Sequence, residues 1–82
     1  MEKQRQTLIR RLERREAEIL KELESLEAEK TRLEEELARP EIYSSGEKAR
    51  TIKLKLDETA AALEVKTREW EAAAEELEQA RK

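Results

Sequence analysis

Arg39-Pro40-Glu41-Ile42-Tyr43-Ser44-Ser45-Gly46-Glu47 contains the only Pro and the only Gly of an 82-residue chain, and with them all of its turn chemistry. Pro disfavours helical geometry in the residue before it, so Pro40 ends a preceding helix near Arg39. Ser44 with Glu47 three residues on has the form of a capping box, and Ser45 offers an alternative N-cap with Gly46 at the first helical position. Either choice starts a second helix near residues 45–47.

On both sides of this stretch the apolar residues recur every 3.5 positions. Before it, Ile9, Glu16, Leu23, Lys30 and Leu37 occupy a, and Leu12, Ile19, Leu26 and Leu33 occupy d. After it, Ala49, Leu56, Leu63, Trp70 and Leu77 occupy a, and Ile52, Thr59, Lys66, Ala73 and Ala80 occupy d. An a/d period sustained over several heptads reads as a coiled coil. A short connection forces the two helices to lie antiparallel as neighbours. The expected fold is all-α, a two-helix antiparallel coiled-coil hairpin forming one domain, with helix one over about 3–39, the turn over 40–46 and helix two over about 47–80.

The composition agrees. With 48% charged residues, 2% aromatic residues and 37% hydrophobic residues, the chain has little to bury in a globular core. His, Cys and Phe are absent, which excludes a zinc finger, a Ser-His or Cys-His nucleophile pair and a disulfide framework. A single Gly excludes phosphate-cradling glycine loops. The acidic runs Glu34-Glu35-Glu36 and Glu75-Glu76 have no spacing that gathers carboxylates around a metal, and they read as solvated faces. A non-catalytic domain without cofactor or metal is the expectation. No apolar run approaches the ~18 residues of a membrane span, and the N-terminus lacks the apolar core of a signal peptide. The chain is therefore expected to be soluble and cytoplasmic.

Folding about residue 43 pairs positions whose numbers sum to about 86. Leu37 then faces Ala49, Leu33 faces Ile52, Leu23 faces Leu63 and Ile9 faces Leu77. Lys30 lies over Leu56 and Glu16 over Trp70. A buried indole N–H needs an acceptor, so Trp70 is expected to donate to Glu16 or to a nearby backbone carbonyl. Lys30 and Lys66 are expected to lay their methylene stems over the seam with the ammonium groups in water. Ile42 and Tyr43 read as a plug over the open end of the seam, or alternatively as a base-stacking tip.

The net charge of −3 hides a banded distribution. Lys3, Arg5, Arg10, Arg11, Arg14 and Arg15 form a basic band at the N-terminus, and Lys48, Arg50, Lys53 and Lys55 form a second beside the turn. Lys3 and Arg10 fall at b, Arg11 at c, Arg14 at f and Arg15 at g, so most of the first band points outward. Exposed Arg and Lys clusters contact phosphates and supply sequence-independent affinity for nucleic acid. A solvated helix face is the plainer reading of the same residues. For the second band the plainer reading is interhelical ion pairing with Glu34, Glu35 and Glu36. The bands lie about 25 residues apart along the axis, roughly 37 Å, which would let one rod touch phosphates at both ends.

The run from Leu33 to Ala49, together with Leu63 and the Arg68-Glu69-Trp70-Glu71 segment, resembles the C-terminal coiled-coil domain of ABC-F ATPases, the Uup group in particular. That family's hairpin has a Leu-Ala-Asp-Pro-x-Leu-Tyr turn followed by Pro-Glu-Lys-Ala, and a Trp-Glu pair near the end of helix two. Here Arg39 stands for the usual Asp and Gly46 for the usual Pro. The turn is also similar, more weakly, to the N-terminal helical domain of bacterial release factors. The resemblance implies a parent with two ATPase domains that bind ATP and magnesium outside these residues, acting on ribosomes or nucleic acid. It also implies DNA binding by the hairpin. Two functions follow as expectations: a nucleic-acid-binding accessory domain contacting DNA or ribosomal RNA through the basic bands, or a spacer that docks on the ribosome or on the parent ATPase domains without binding nucleic acid. Two such chains could exchange helices or zip into a four-helix bundle, and the Pro40–Gly46 turn favours a monomeric hairpin.

Overall fold

The computed structural model describes residues 2–82. Two 36-residue helices, α1 (Glu2–Leu37) and α3 (Gly46–Arg81), pack antiparallel and are joined through a one-turn helix, α2 (Pro40–Tyr43). At 1.5 Å per residue each long helix spans about 54 Å, and the molecule is a rod of 63 × 14 × 13 Å. The all-α antiparallel hairpin expected from the heptads is the fold observed.

All eight buried residues sit at a or d. They are Leu12, Ile19 and Leu33 on α1, and Ile52, Thr59, Leu63, Ala73 and Leu77 on α3. Leu33, beside the turn, is the most deeply buried at 1% exposure. A two-helix seam has no third wall, so Ile9, Leu23, Leu56 and Trp70 at a are only half-buried. Thr59 is tolerated inside because its hydroxyl donates to the Lys55 carbonyl one turn back at 2.8 Å. The register agrees with the expected fold-back: Arg5 meets Ala80 and Arg81, and Glu22 meets Lys66.

The connection is more ordered than a turn over 40–46. Helix α1 ends at Leu37, two residues before the expected boundary. Arg39 takes an extended backbone (φ −75°, ψ 134°), as the residue before Pro must, and Pro40 then occupies the first turn of α2. Pro suits that position because its missing N–H would have no intrahelical partner there. One residue therefore both stops α1 and starts α2. The two serines divide the remaining work. The Ser44 hydroxyl donates to the Pro40 carbonyl at the end of α2, whereas Ser45 is the N-cap of α3, its Oγ accepting from the Lys48 backbone N–H at 3.3 Å. Arg39 provides no side-chain cap.

Two further expectations are corrected. Trp70 Nε1 is buried without any hydrogen-bond partner, so it donates neither to Glu16 nor to a carbonyl. Glu16 is half-buried at the narrow seam, and drawing a carboxylate inward to meet the indole would desolvate a charge. That costs more than the ~1–3 kcal/mol of an orphaned neutral donor. The plug is Ile42 alone: it is half-buried and lines a depression with Ile52, while Tyr43 is 60% exposed.

Candidate nucleic-acid interface

Helical periodicity places Lys3, Thr7, Arg10 and Arg14 in one row on the side of α1 away from the seam, and all four are exposed. Thr7 turns its hydroxyl back to the Lys3 carbonyl at 2.9 Å, which leaves the row's outward chemistry to the cations. Arg11 flanks the row: with Lys3 and Thr7 it lines one shallow depression, and with Thr7, Arg10 and Arg14 another. Arg15 is exposed on the flank of the seam. Lys21, seven residues after Arg14 and also exposed, continues the row. Extending the heptad by one repeat would have found it; grouping charges by sequence block hid it.

Arg5 does not belong with them. Its Nε donates to the Ala80 carbonyl at 3.1 Å and its Nη2 to the Arg81 carbonyl at 2.7 Å. Those carbonyls are orphan acceptors at the C-terminal end of α3, where a cation also meets the negative end of the helix dipole. The guanidinium counted toward phosphate binding thus closes the open end of the hairpin. Arg81 adds a second clasp, reaching Glu13 at 3.0 Å.

The second band is exposed at Lys48, Arg50, Lys53 and Lys55, and the interhelical pairing expected for it does not form: among the described residues no carboxylate lies within 4.0 Å of any of them. Of the acidic partners expected for it, Glu36 is taken closer to home, while Glu34 and Glu35 stay exposed. Arg32 takes Glu29 at 2.5 Å and Glu36 at 3.7 Å, both on its own helix, because i,i+3 and i,i+4 neighbours meet without either side chain crossing the seam. The hydrogen bond from Arg32 holds the Glu29 carboxyl below its usual range, and Lys55 across the seam adds to the pull. In the middle of the rod, Lys66 pairs with Glu22 and, at 3.1 Å, with Glu69, and both hydrogen bonds raise its pKa. Lys66 is half-buried, and its ammonium, expected in water, is held by carboxylates.

Among the described residues, the cations in ion pairs are Arg32, Lys66, Arg68 and Arg81. None belongs to either basic band. The bands are also diagonal. Antiparallel folding sets α1's basic end beside the Glu71, Glu75, Glu76 and Glu78 end of α3, and α3's basic end beside Glu34, Glu35 and Glu36 of α1. The outward row of Arg10 and Arg14 and the outward Arg50 therefore face opposite directions. Arg15, Lys48 and Lys55 share one flank of the seam, and that flank is the side from which one straight polyanion can reach both ends.

No group of three or more His, Cys, Asp or Glu among the described residues is arranged to hold a metal ion. Among the described residues no helix is long and apolar enough to cross a membrane.

A charged two-helix rod without a pocketed core defines a non-globular helical-hairpin domain. The chain belongs to the ABC transporter C-terminal domain family, which it matches over residues 7–75. It is an accessory domain of an ABC protein. Neither curated proteins nor solved structures gave a match.

Proposed function

We propose that this hairpin is the nucleic-acid-binding accessory domain of an ABC-F protein of the Uup type, holding the phosphate backbone of DNA or ribosomal RNA through Lys3, Arg10, Arg11, Arg14 and Arg15. In this reading the domain is non-catalytic, and ATP and magnesium belong to the parent's ATPase domains. The observation that carries it is the complete absence of ion pairs in a row of exposed cations while carboxylates are plentiful in the same molecule. Lys48, Arg50, Lys53 and Lys55 add contacts at the far end. Arg5 is left out because its donors are occupied.

Exposed Arg on the outside of a helix meets phosphates with little access to base edges, so binding is expected to be sequence-tolerant and salt-dependent. Anisotropy titrations of labelled duplex DNA and of a structured ribosomal RNA fragment, at low and at fourfold higher salt, check this. About five phosphate contacts give a loss of affinity on the order of 10²–10³-fold over that range. Replacing Arg10, Arg11, Arg14 and Arg15 together by Ala abolishes most of the salt slope. No binding of either nucleic acid at low salt, with binding to the parent ATPase domains instead, would establish the spacer function in its place.

A further inference from the structure

The outward face of α3 carries an apolar stripe that the hairpin does not use. Leu54 is 60% exposed and Val65 is 52% exposed. Ala61 and Ala72 are exposed on the same line, at spacings of seven, four and seven residues from Leu54 through Ala61 and Val65 to Ala72. The stripe runs about 27 Å along the helix. The outward row of α1 has nothing comparable, since its exposed large apolar residues, Leu8 and Leu20, flank the seam. Scattered exposed aliphatics are ordinary on a protein surface. Here they fall on one line of one helix, among small residues that admit a close neighbour.

We propose that this face docks on the same face of a second copy of the chain, the two α3 helices running antiparallel about the level of Leu63. In that register each large residue meets a small one: Leu54 lies over the partner's Ala72, and Val65 over the partner's Ala61. The two-fold axis repeats both contacts. Small residues opposite large ones allow the interaxial distances of about 8–10 Å at which helices interlock. Along one edge of the stripe the same register sets Asp57 against the partner's Arg68 and Arg50 against the partner's Glu75, four ion pairs in all once the axis repeats them. Asp57, Arg50 and Glu75 have no ion partner within the hairpin, and Arg68 has only Glu64, in a pair 72% and 68% exposed that is readily exchanged. Along the other edge Glu58 meets the partner's Glu69, whose charge Lys66 of its own chain already offsets at 3.1 Å.

A parallel arrangement is disfavoured by the same charges. It would set Asp57 against the partner's Glu58 and Glu75 against the partner's Glu76, leaving only the contact of Arg68 with the partner's Glu69 favourable. The pairing leaves the basic row of α1 on the outside, and of the cations assigned to nucleic acid it engages only Arg50. The turn remains closed in each hairpin, and no helix is exchanged.

Sedimentation equilibrium of the chain over a concentration series reaching millimolar tests it. The apparent mass is expected to rise from 9.7 kDa toward twice that value. Leu54→Glu with Val65→Glu weakens association on the order of tenfold or more, since two aliphatic contacts are lost at each of the two equivalent sites. Circular dichroism remains that of the folded hairpin, because both positions are exposed. Asp57→Arg alone weakens association, and Asp57→Arg combined with Arg68→Asp restores it. The chain has no Cys, so the direction is read by mixing a Glu47→Cys protein with a Gln79→Cys protein, which are expected to form the mixed disulfide in preference to either self-disulfide. A mass fixed at 9.7 kDa throughout, association unchanged by the two Glu substitutions, or preferred self-disulfides would each overturn the proposal.

Discussion

At the turn end of the rod the two long helices are joined through α2 and the serine caps, with Leu33 at 1% exposure level with Ile52 and with Ile42 over the seam. At the open end the chain supplies no link, and the helices are held by Leu12 and Leu77 in the seam, by Arg5 on the last carbonyls of α3 and by Arg81 on Glu13. The difference bears directly on how much positive charge each end can offer. Closure through the chain leaves all of Lys48, Arg50, Lys53 and Lys55 free of ion pairs, whereas closure by side chains consumes Arg5. The open end still presents more cations outward, because the row on α1 points away from the clasp.

The largest effect expected is at the turn end. Leu33→Ala removes the most buried side chain and should destabilise the hairpin by about 2–4 kcal/mol, measured by urea unfolding. A loss below about 1 kcal/mol would mean that the connection, and not the packing under it, holds that end.

A smaller and more local effect is expected at the open end. Arg5→Met keeps the aliphatic stem and removes the donors. Amides of the last turn of α3 should then exchange hydrogen about threefold to tenfold faster, with the midpoint of thermal unfolding little changed, because helix ends open locally. Equal protection in the variant would show that the clasp is dispensable and that Arg5 can rejoin the phosphate-binding band.

The smallest effect has the opposite sign. Gly46 is exposed at the first position of α3, a Cβ there would meet nothing within 4 Å, and Ser45 before it is already extended at φ −107° and ψ 111°. Gly46→Pro should therefore stabilise by about 0.4–1 kcal/mol through the unfolded chain. It would also restore the residue usual in the hairpins that this turn resembles. Destabilisation would show that the start of α3 needs the backbone freedom of glycine.

The residues most legible in the sequence are those that act through period and local geometry. The a/d pattern locates the seam, Pro40 marks the end of α1 within two residues, and Ser45 with Gly46 marks the start of α3, because each depends only on neighbours along the chain. Less legible were the roles that depend on what lies across the seam. Arg5 looked like any other cation of its band until α3 brought its carbonyls alongside. Trp70 was expected to find an acceptor because burial normally demands one, yet its indole N–H has none. The ion pairs expected for Lys48 through Lys55 do not form, and of the three carboxylates expected for them Arg32 takes Glu36 along its own helix.

The sequence by itself determined an all-helical hairpin, its register and the two basic bands, since helical period and turn chemistry are local properties that need no partner to be read. Only the tertiary structure decided which cations are free and which way they point. Antiparallel packing sets each basic end beside an acidic one, turns the outward parts of the two bands to opposite faces and leaves Leu54 and Val65 uncovered. Those outcomes depend on distances between residues far apart in the chain, and no pattern along one helix specifies them.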